Sequence, residues 1–402
     1  MTILLSTVYI LVARQIALEG YPNWEAPSTI SFKGRVQEIL SEEEISGGRE
    51  LLLQVKVLSG PERGALVTVR QTIAYNYYPV QDTAQPGDKI LFYTDKNHED
   101  NDWVMLEYVR SDGILILGGA FVLVVLIFGR WKGLNTMISL GFTCLAVFMV
   151  FIPSVLSGQN IYIWSIVTCL YTIIMTMLLI NGASKKSFAA GAGCFAGVAM
   201  AGILTVIMDW ALSLTGMTTE DALYLQMLDV AEPINLRAII FAAIIIGAMG
   251  AIMDVAMDIS SSLQEIQANS PEITARGLIR SGFNIGRDVL GTMANTLVLA
   301  YIGSSLSTTL LLVAYNVEMI QLFNMEMIIV ELLQAIVGSF GILLAIPLTS
   351  FICAAIYPKH KHGKPSISLS SLNSLNVEKQ SIPDSFYLQK QRTIKRIDEQ
   401  GR

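Results

Sequence analysis

Seven apolar stretches divide the second half and more of the chain: residues 113–130, 134–152, 161–182, 188–214, 237–258, 289–314 and 328–357. A hydrocarbon layer about 30 Å thick takes about 20 mostly apolar residues per helix, so each stretch reads as a transmembrane span. An eighth, weaker stretch, MTILLSTVYILVARQIAL, opens the chain. It lacks a basic leader, and Arg14 lies at the end that would be translocated, so residues 1–19 match a signal-anchor helix only loosely. Between them the period changes from helical to alternating. Five runs, SFKGRVQEIL, ELLLQVKVL, ALVTVRQTI, KILFYTD and WVMLEYV, are separated by SGGRE, SGPERG and QPGDK. Valine, leucine and aromatic residues bounded by such turn signals predict strands.

Five strands in under a hundred residues suit a small OB-like barrel over 24–110, with a two-sheet sandwich as the second choice. The fold class is therefore a polytopic α-helical membrane protein of about seven to eight transmembrane helices carrying a small extracytoplasmic all-β domain. Residues 113–357 form its seven-helix domain, and 358–402, polar with a basic excess, predict a disordered cytoplasmic tail that can lie along an anionic leaflet.

Composition agrees. Hydrophobic residues make up 52% of the 402 and charged residues 15%, too apolar a balance for a soluble chain of this length. Lysine and arginine set the orientation, because cytoplasmic loops retain them. GRWKG, NGASKKS, the segment with Arg276, Arg280 and Arg287, and PKHKHGK are basic, whereas the intervening loops have neither residue. That alternation puts the C-terminus in the cytoplasm and residues 20–112 outside, and an even number of spans, with 1–19 as an anchor, then places the N-terminus inside. A net charge of −6 argues against a nucleic-acid partner.

Little of the chain looks like chemistry. Cys144, Cys169, Cys194 and Cys353 all fall in apolar stretches without a C-x-x-C pair, and His98, His360 and His362 lie outside every span. No metal centre and no cofactor is expected from that inventory. The HKH of the tail reads as a solvated basic run. Met249, Met253 and Met257 form an i, i+4, i+8 stripe, which is ordinary helix filling before it is a copper site. GAGCFAG from Gly191 reads as a small-residue packing face. No Ser-His-Asp set, phosphate loop or zinc motif is present, so enzyme activity is not expected.

The exception is GAIMDVAMDISSSLQEI. At 100° per residue, Asp254, Asp258, Ser261 and Glu265 fall within an arc of about 60° on one helix face. A central aspartate costs roughly 3 kcal/mol in a membrane, so Asp254 needs a partner, water or a proton. After ANSPE, with Ser270 as cap and Pro271 as first helical residue, a short basic helix is expected to end near Gly282. The next span then carries a second polar seam, Asn284, Arg287, Asp288, Thr292 and Asn295. A hairpin would bring the seams together, Arg280 or Arg287 neutralising a carboxylate while Gly247 and Gly250 on one helix and Gly286 and Gly291 on the other allow close approach. Such a seam pair serves either as an ion or solute path open from the cytoplasm, or as a purely structural lock. Glu331, Gln334 and Asp209 read as acids and amides near the outer surface.

The stretch from Gly250 to SGFNIGRDVLGTMANTLVLAYIGSS resembles the YibE/F family of bacterial membrane proteins, with Gly250, Asp254, Ser261, Asn284, Gly286, Arg287, Asp288, Gly291, Thr292 and Asn295 carrying the likeness. It extends over most of residues 30–357. The resemblance implies residence in the cytoplasmic membrane and a small hydroxyl residue where this chain has Asp258, which makes Asp254 the principal carboxylate. It brings no activity, substrate or catalytic residue with it. The leading expectation is a permease or channel-like transporter of an ion or small solute; the alternative is an envelope docking, signalling or assembly protein whose external β domain binds a partner. Expected partners are the lipid bilayer, an extracytoplasmic protein, and copies of this chain or related membrane subunits.

Overall fold

The computed structural model describes residues 1–22, 29–74, 83–95, 103–228, 233–315 and 318–357. The tail expected to be disordered, with its HKH run, and His98 lie outside them. A helix α1 (Thr2–Ala17) is followed by five strands, β1 (Thr29–Ile45), β2 (Gly48–Val57), β3 (Leu66–Ala74), β4 (Lys89–Asp95) and β5 (Trp103–Tyr108), and then by helices to the end of the described chain.

The strands close into a barrel in the order β1-β2-β3-β5-β4. All its pairings are antiparallel except β3 with β5. Alternation fills it: Leu51, Leu53, Val55 and Val57 of β2 all point inward, around a cluster of Phe32, Phe92 and Trp103. β1 runs five residues past the expected end at Leu40, through Ser41 and three glutamates. Its far end pairs with β2 as Ile45 to Gly48, and that hairpin ladder outweighs the poor strand propensity of the acidic run.

Helix α2 (Ser111–Ala146) passes through a π-helical turn at Val147–Phe151 into α3 (Ile152–Leu156). Arg130 leaves the helical region (φ 49°, ψ −129°), and Gly133 packs against the carbonyl of Val125. Eight residues of straight helix would separate those two by about 12 Å, so the chain turns sharply at GRWKG. Then follow α4 (Ile161–Asn181), α5 (Lys185–Leu212), α6 (Glu220–Met227), α7 (Leu236–Asn269), α8 (Ala275–Ser304), α9 (Leu306–Ala314), α10 (Met319–Leu322) and α11 (Glu326–Ile356). Side chains of Asn160, Ser184, Asn235 and Thr274 accept the first free amides of α4, α5, α7 and α8.

Among the described residues five helical segments are long and apolar enough to cross a membrane, Ser111–Leu156, α4, α5, α7 and α11, and six if α8 with α9, bent by 59°, is one span. α7 is the most buried of them. It packs on α4, α5, α8 and α11, with Ile245, Ile252, Val255 and Ile259 in the core. α5 meets α11 through glycine: Gly193 lies against Thr349, and a β-carbon on Gly197 would come 2.8 Å from Ile252 and 3.0 Å from Ala345. Met249 and Met253 are buried in this packing, as expected of filler.

α1 docks on the bundle. The Ser157 hydroxyl donates to the Ala17 carbonyl at 2.6 Å, the Gln159 amide to the Ile16 carbonyl at 2.6 Å, and the Tyr9 and Tyr171 rings stack at 4.1 Å. The barrel is held differently. Its contact with the helices is an ion cluster in the first turn of α2, where Asp112 receives Lys89 and, at 3.6 Å, Lys33.

Candidate functional site

The acidic seam sits on one long helix. α7 runs eleven residues beyond the expected end of its span, so Asp254, Asp258, Ser261 and Glu265 share a single unbroken face. On it Ala243, Gly247, Gly250, Asp254 and Asp258 are exposed at steps of three and four, Glu265 follows two turns on past the half-buried Ser261, and the residues between them are mostly buried. The most enclosed helix of the bundle therefore has one uncovered side, and the carboxylates are on it. From Gly247 to Glu265 the side is about 27 Å long at 1.5 Å per residue.

The second seam does not begin a new helix. Ser270 closes α7 instead of capping the next helix, Thr274 is the cap, and α8 continues through Gly282 without a break. The reason is packing. Gly282 lies against Ser350 and Gly286 against Ile346, so both glycines are contact points with α11 and not terminators. α8 buries Leu278, Gly282 and Gly286 and turns Asn284, Arg287, Asp288, Gly291, Thr292 and Asn295 outward.

Two α7–α8 contacts fix the depth. Leu263 meets Gly282, and Gly247 meets the Tyr301 hydroxyl. Interpolation between them puts Asp258 level with Asp288 and Asp254 level with Thr292. Equal depth was expected; a meeting was not achieved. Among the described residues no hydrogen bond or ion pair joins Asp254 or Asp258 to Arg280, Arg287, Asp288, Asn284 or Asn295. Thr292 donates to the carbonyl of Val289 at 2.9 Å and Ser261 to the sulfur of Met257 at 3.6 Å, both within their own helices. The expected Asp–Arg neutralisation is thus overturned among the described residues, because α8 turns its close-packing face to α11 and its polar side away from the other described helices. The expected backbone approach at Gly250 and Gly291 fails for the same reason: a β-carbon at either would meet nothing within 4 Å.

Gly247 is different. A β-carbon there would come 2.9 Å from the Tyr301 hydroxyl and 3.5 Å from the Gln334 amide nitrogen. The seam has open space at Gly250 and is narrowed one turn further out, where the exposed Gly247 lies against these two polar groups. Tyr301 escaped the sequence reading because it faces α7 and so falls off the seam's period. At the inner end, beside Glu265, lies a pocket of about 410 Å³ lined by Ser262, Glu265, Ile266, Asn269, Ser270 and Ile285. Two apolar grooves, of about 470 and 590 Å³, lie along α4 and α5 and include none of these carboxylates in their lining.

An exposed carboxylate row with no cation partner among the described residues can bind a proton or a metal or organic cation, and the amides of Asn284 and Asn295, unpaired among the same residues, can replace part of a hydration shell. Nothing in the set supplies a nucleophile with a base. The chain matches the family model described as YibE/F-like protein over residues 117–359, more than half its length, and it belongs to that family. The match leaves out the barrel, which the sequence resemblance had included from residue 30. No curated protein and no solved structure gives a significant match.

Proposed function

We propose that this YibE/F-like protein is a multi-pass protein of the bacterial cytoplasmic membrane that passes a small cation, or a solute carried with a proton, along the α7 seam past Asp254. One observation carries the reading: Asp254 lies far inside the most buried apolar helix, on its uncovered side, with no hydrogen bond or ion pair among the described residues. A carboxylate there is expensive, and intramembrane acids of this kind mark ion and proton paths. The pocket at Glu265 serves as the inner mouth and the Tyr301–Gln334 closure at Gly247 as the outer stop. With Arg130 dividing the long segment into two spans and α8–α9 counted as one, seven spans follow the barrel. The basic loops then put residues 20–112 outside and the C-terminus inside.

The test is flux in proteoliposomes against a panel of monovalent and divalent cations and a trapped pH dye. Asp254→Asn should lower the rate roughly tenfold or more while elution and thermal stability stay unchanged, a loss of the order of one removed charge contact at a conducting site. Undiminished flux in Asp254→Asn removes the path from Asp254.

A second reading has its own support. The barrel, which we read as OB-like from its strand order and parallel β3–β5 pair, meets the helices among the described residues at Ser111 and Asp112, and the first half of α2 is largely exposed. Such a module suits docking to an envelope protein. Flux that persists after deletion of 24–108 would make the barrel accessory; loss of a co-purifying envelope protein would favour docking.

A further inference from the structure

We infer that the uncovered side of α7 and α8 is closed by a second copy of this chain, so that the seam runs between two protomers. The inference rests on the transport reading only in calling the enclosed space a path. The covering itself follows from three features of the surface.

The first is polarity. Asn284, Arg287, Asp288, Thr292, Asn295 and Thr296 are all exposed on α8. They span about 18 Å of helix, with Asn284, Arg287 and Asp288 at the cytoplasmic end of the expected span and Thr292, Asn295 and Thr296 inside it. Acyl chains satisfy none of these groups, and each charged or amide side chain left to lipid is costly. Among the described residues the main packing partners of α8 are α7 and α11, on its other side. The apolar grooves of α4 and α5, by contrast, are surfaces that lipid fits.

The second is charge. Arg287 stands beside Asp288, and Asp258 is level with both. A two-fold axis along the membrane normal brings equal depth against equal depth, and such an interface is self-complementary. Arg287 of one protomer then meets the carboxylates of the other, twice over. The acids that have no cation among the described residues of one chain find it in the copy.

The third is shape. The open positions at Gly250 and Gly291 leave room for a second backbone, as small residues do in helix contacts within membranes. Further out, α9 buries none of its residues, and Leu306, Leu310, Leu311 and Val313 continue the surface as an apolar strip. The apolar strip follows the polar centre across the 59° bend between α8 and α9.

Disulfide trapping in native membranes tests this. Cys144 is exposed and the other three cysteines are buried, so Cys144→Ser gives a quiet background. Thr292→Cys and Asn295→Cys should oxidise to a covalent dimer, and Ile203→Cys on the α5 surface should remain monomeric. Arg287→Asp should lower the yield at Thr292→Cys roughly fivefold or more, and Arg287→Asp with Asp288→Arg should restore it, because the swap preserves opposite charges across the axis. Both cysteines remaining monomeric, with single-step photobleaching of labelled protein in liposomes, overturns the inference and leaves a cleft walled by water. The readout needs no flux. A trapped dimer that conducts nothing removes the transport reading and keeps the assembly; a conducting monomer does the reverse.

Discussion

The α5–α11 interface and the outward face of α8 use the same small residues, glycine and hydroxyl side chains, and end in opposite states. At the first, Gly193 is pressed against Thr349 and Gly197 leaves no space for a methyl group; at the second, Gly291 and Gly250 have nothing within 4 Å of where a β-carbon would stand. The difference teaches that a small residue in a membrane helix records room, and that the opposing helix decides whether the room is used. Where it is used, the gain is van der Waals contact between backbones. Where it is not, polar neighbours remain bare, and the bare side of this molecule is the one with its carboxylates.

The sharpest way to break that contrast is to fill both kinds of position. Gly193→Leu should cost about 3 kcal/mol or more, because neither helix can retreat without opening the core, whereas Gly291→Leu, which meets nothing within its own protomer, should leave the stability of the protomer within about 0.5 kcal/mol and act on assembly instead. Thermal unfolding of the two variants in detergent, followed by monodispersity of a fluorescent fusion, measures both. Equal effects would mean that α8 is packed where it is described as open.

Acids provide the next test. Glu326 begins α11 and is fully engaged: it accepts the amides of Thr215 and Gly216 at 2.7 and 2.6 Å and the Thr215 hydroxyl at 2.7 Å, tying α11 to the turn after α5. Glu326→Ala should lower stability by about 1–3 kcal/mol, the cost of leaving those donors unpaired. Asp254→Asn removes a charge that has no partner and should leave stability unchanged in the same assay. The smallest effect belongs to the barrel's mount. Lys33 and Lys89 meet Asp112 at an exposed joint, so replacing both by glutamine should change stability by under about 1 kcal/mol, and the change should fade in high salt.

Periodicity carried the reading of the sequence a long way. The five strands, the turn at GRWKG, the packing role of GAGCFAG and the single polar face through Asp254, Asp258 and Glu265 could all be read from spacing, since each depends on residues close in the chain. What α8 packs against could not. Gly282 looks like a helix stop and Ser270-Pro271 like a start until Ser350 and Ile346 of α11 are seen to occupy the grooves at Gly282 and Gly286. A seam states which face is polar, not what faces it, so depth was legible and partnership was not. Tyr301 shows the same limit, for its role at Gly247 comes entirely from a contact some fifty residues away in sequence.

Thiol reactivity along α7 tests the central claim most directly. Single cysteines at Ala243, Gly247, Gly250, Asp254 and Asp258, in a background lacking the exposed Cys144, are offered a membrane-impermeant reagent in inside-out vesicles. Reaction at positions 258, 254 and 250 that falls away at 247 and 243 is the outcome expected of a wet seam closed by Tyr301 and Gln334. Silence at 254 and 258, with the protein folded, would place that side of α7 against lipid and contradict the account.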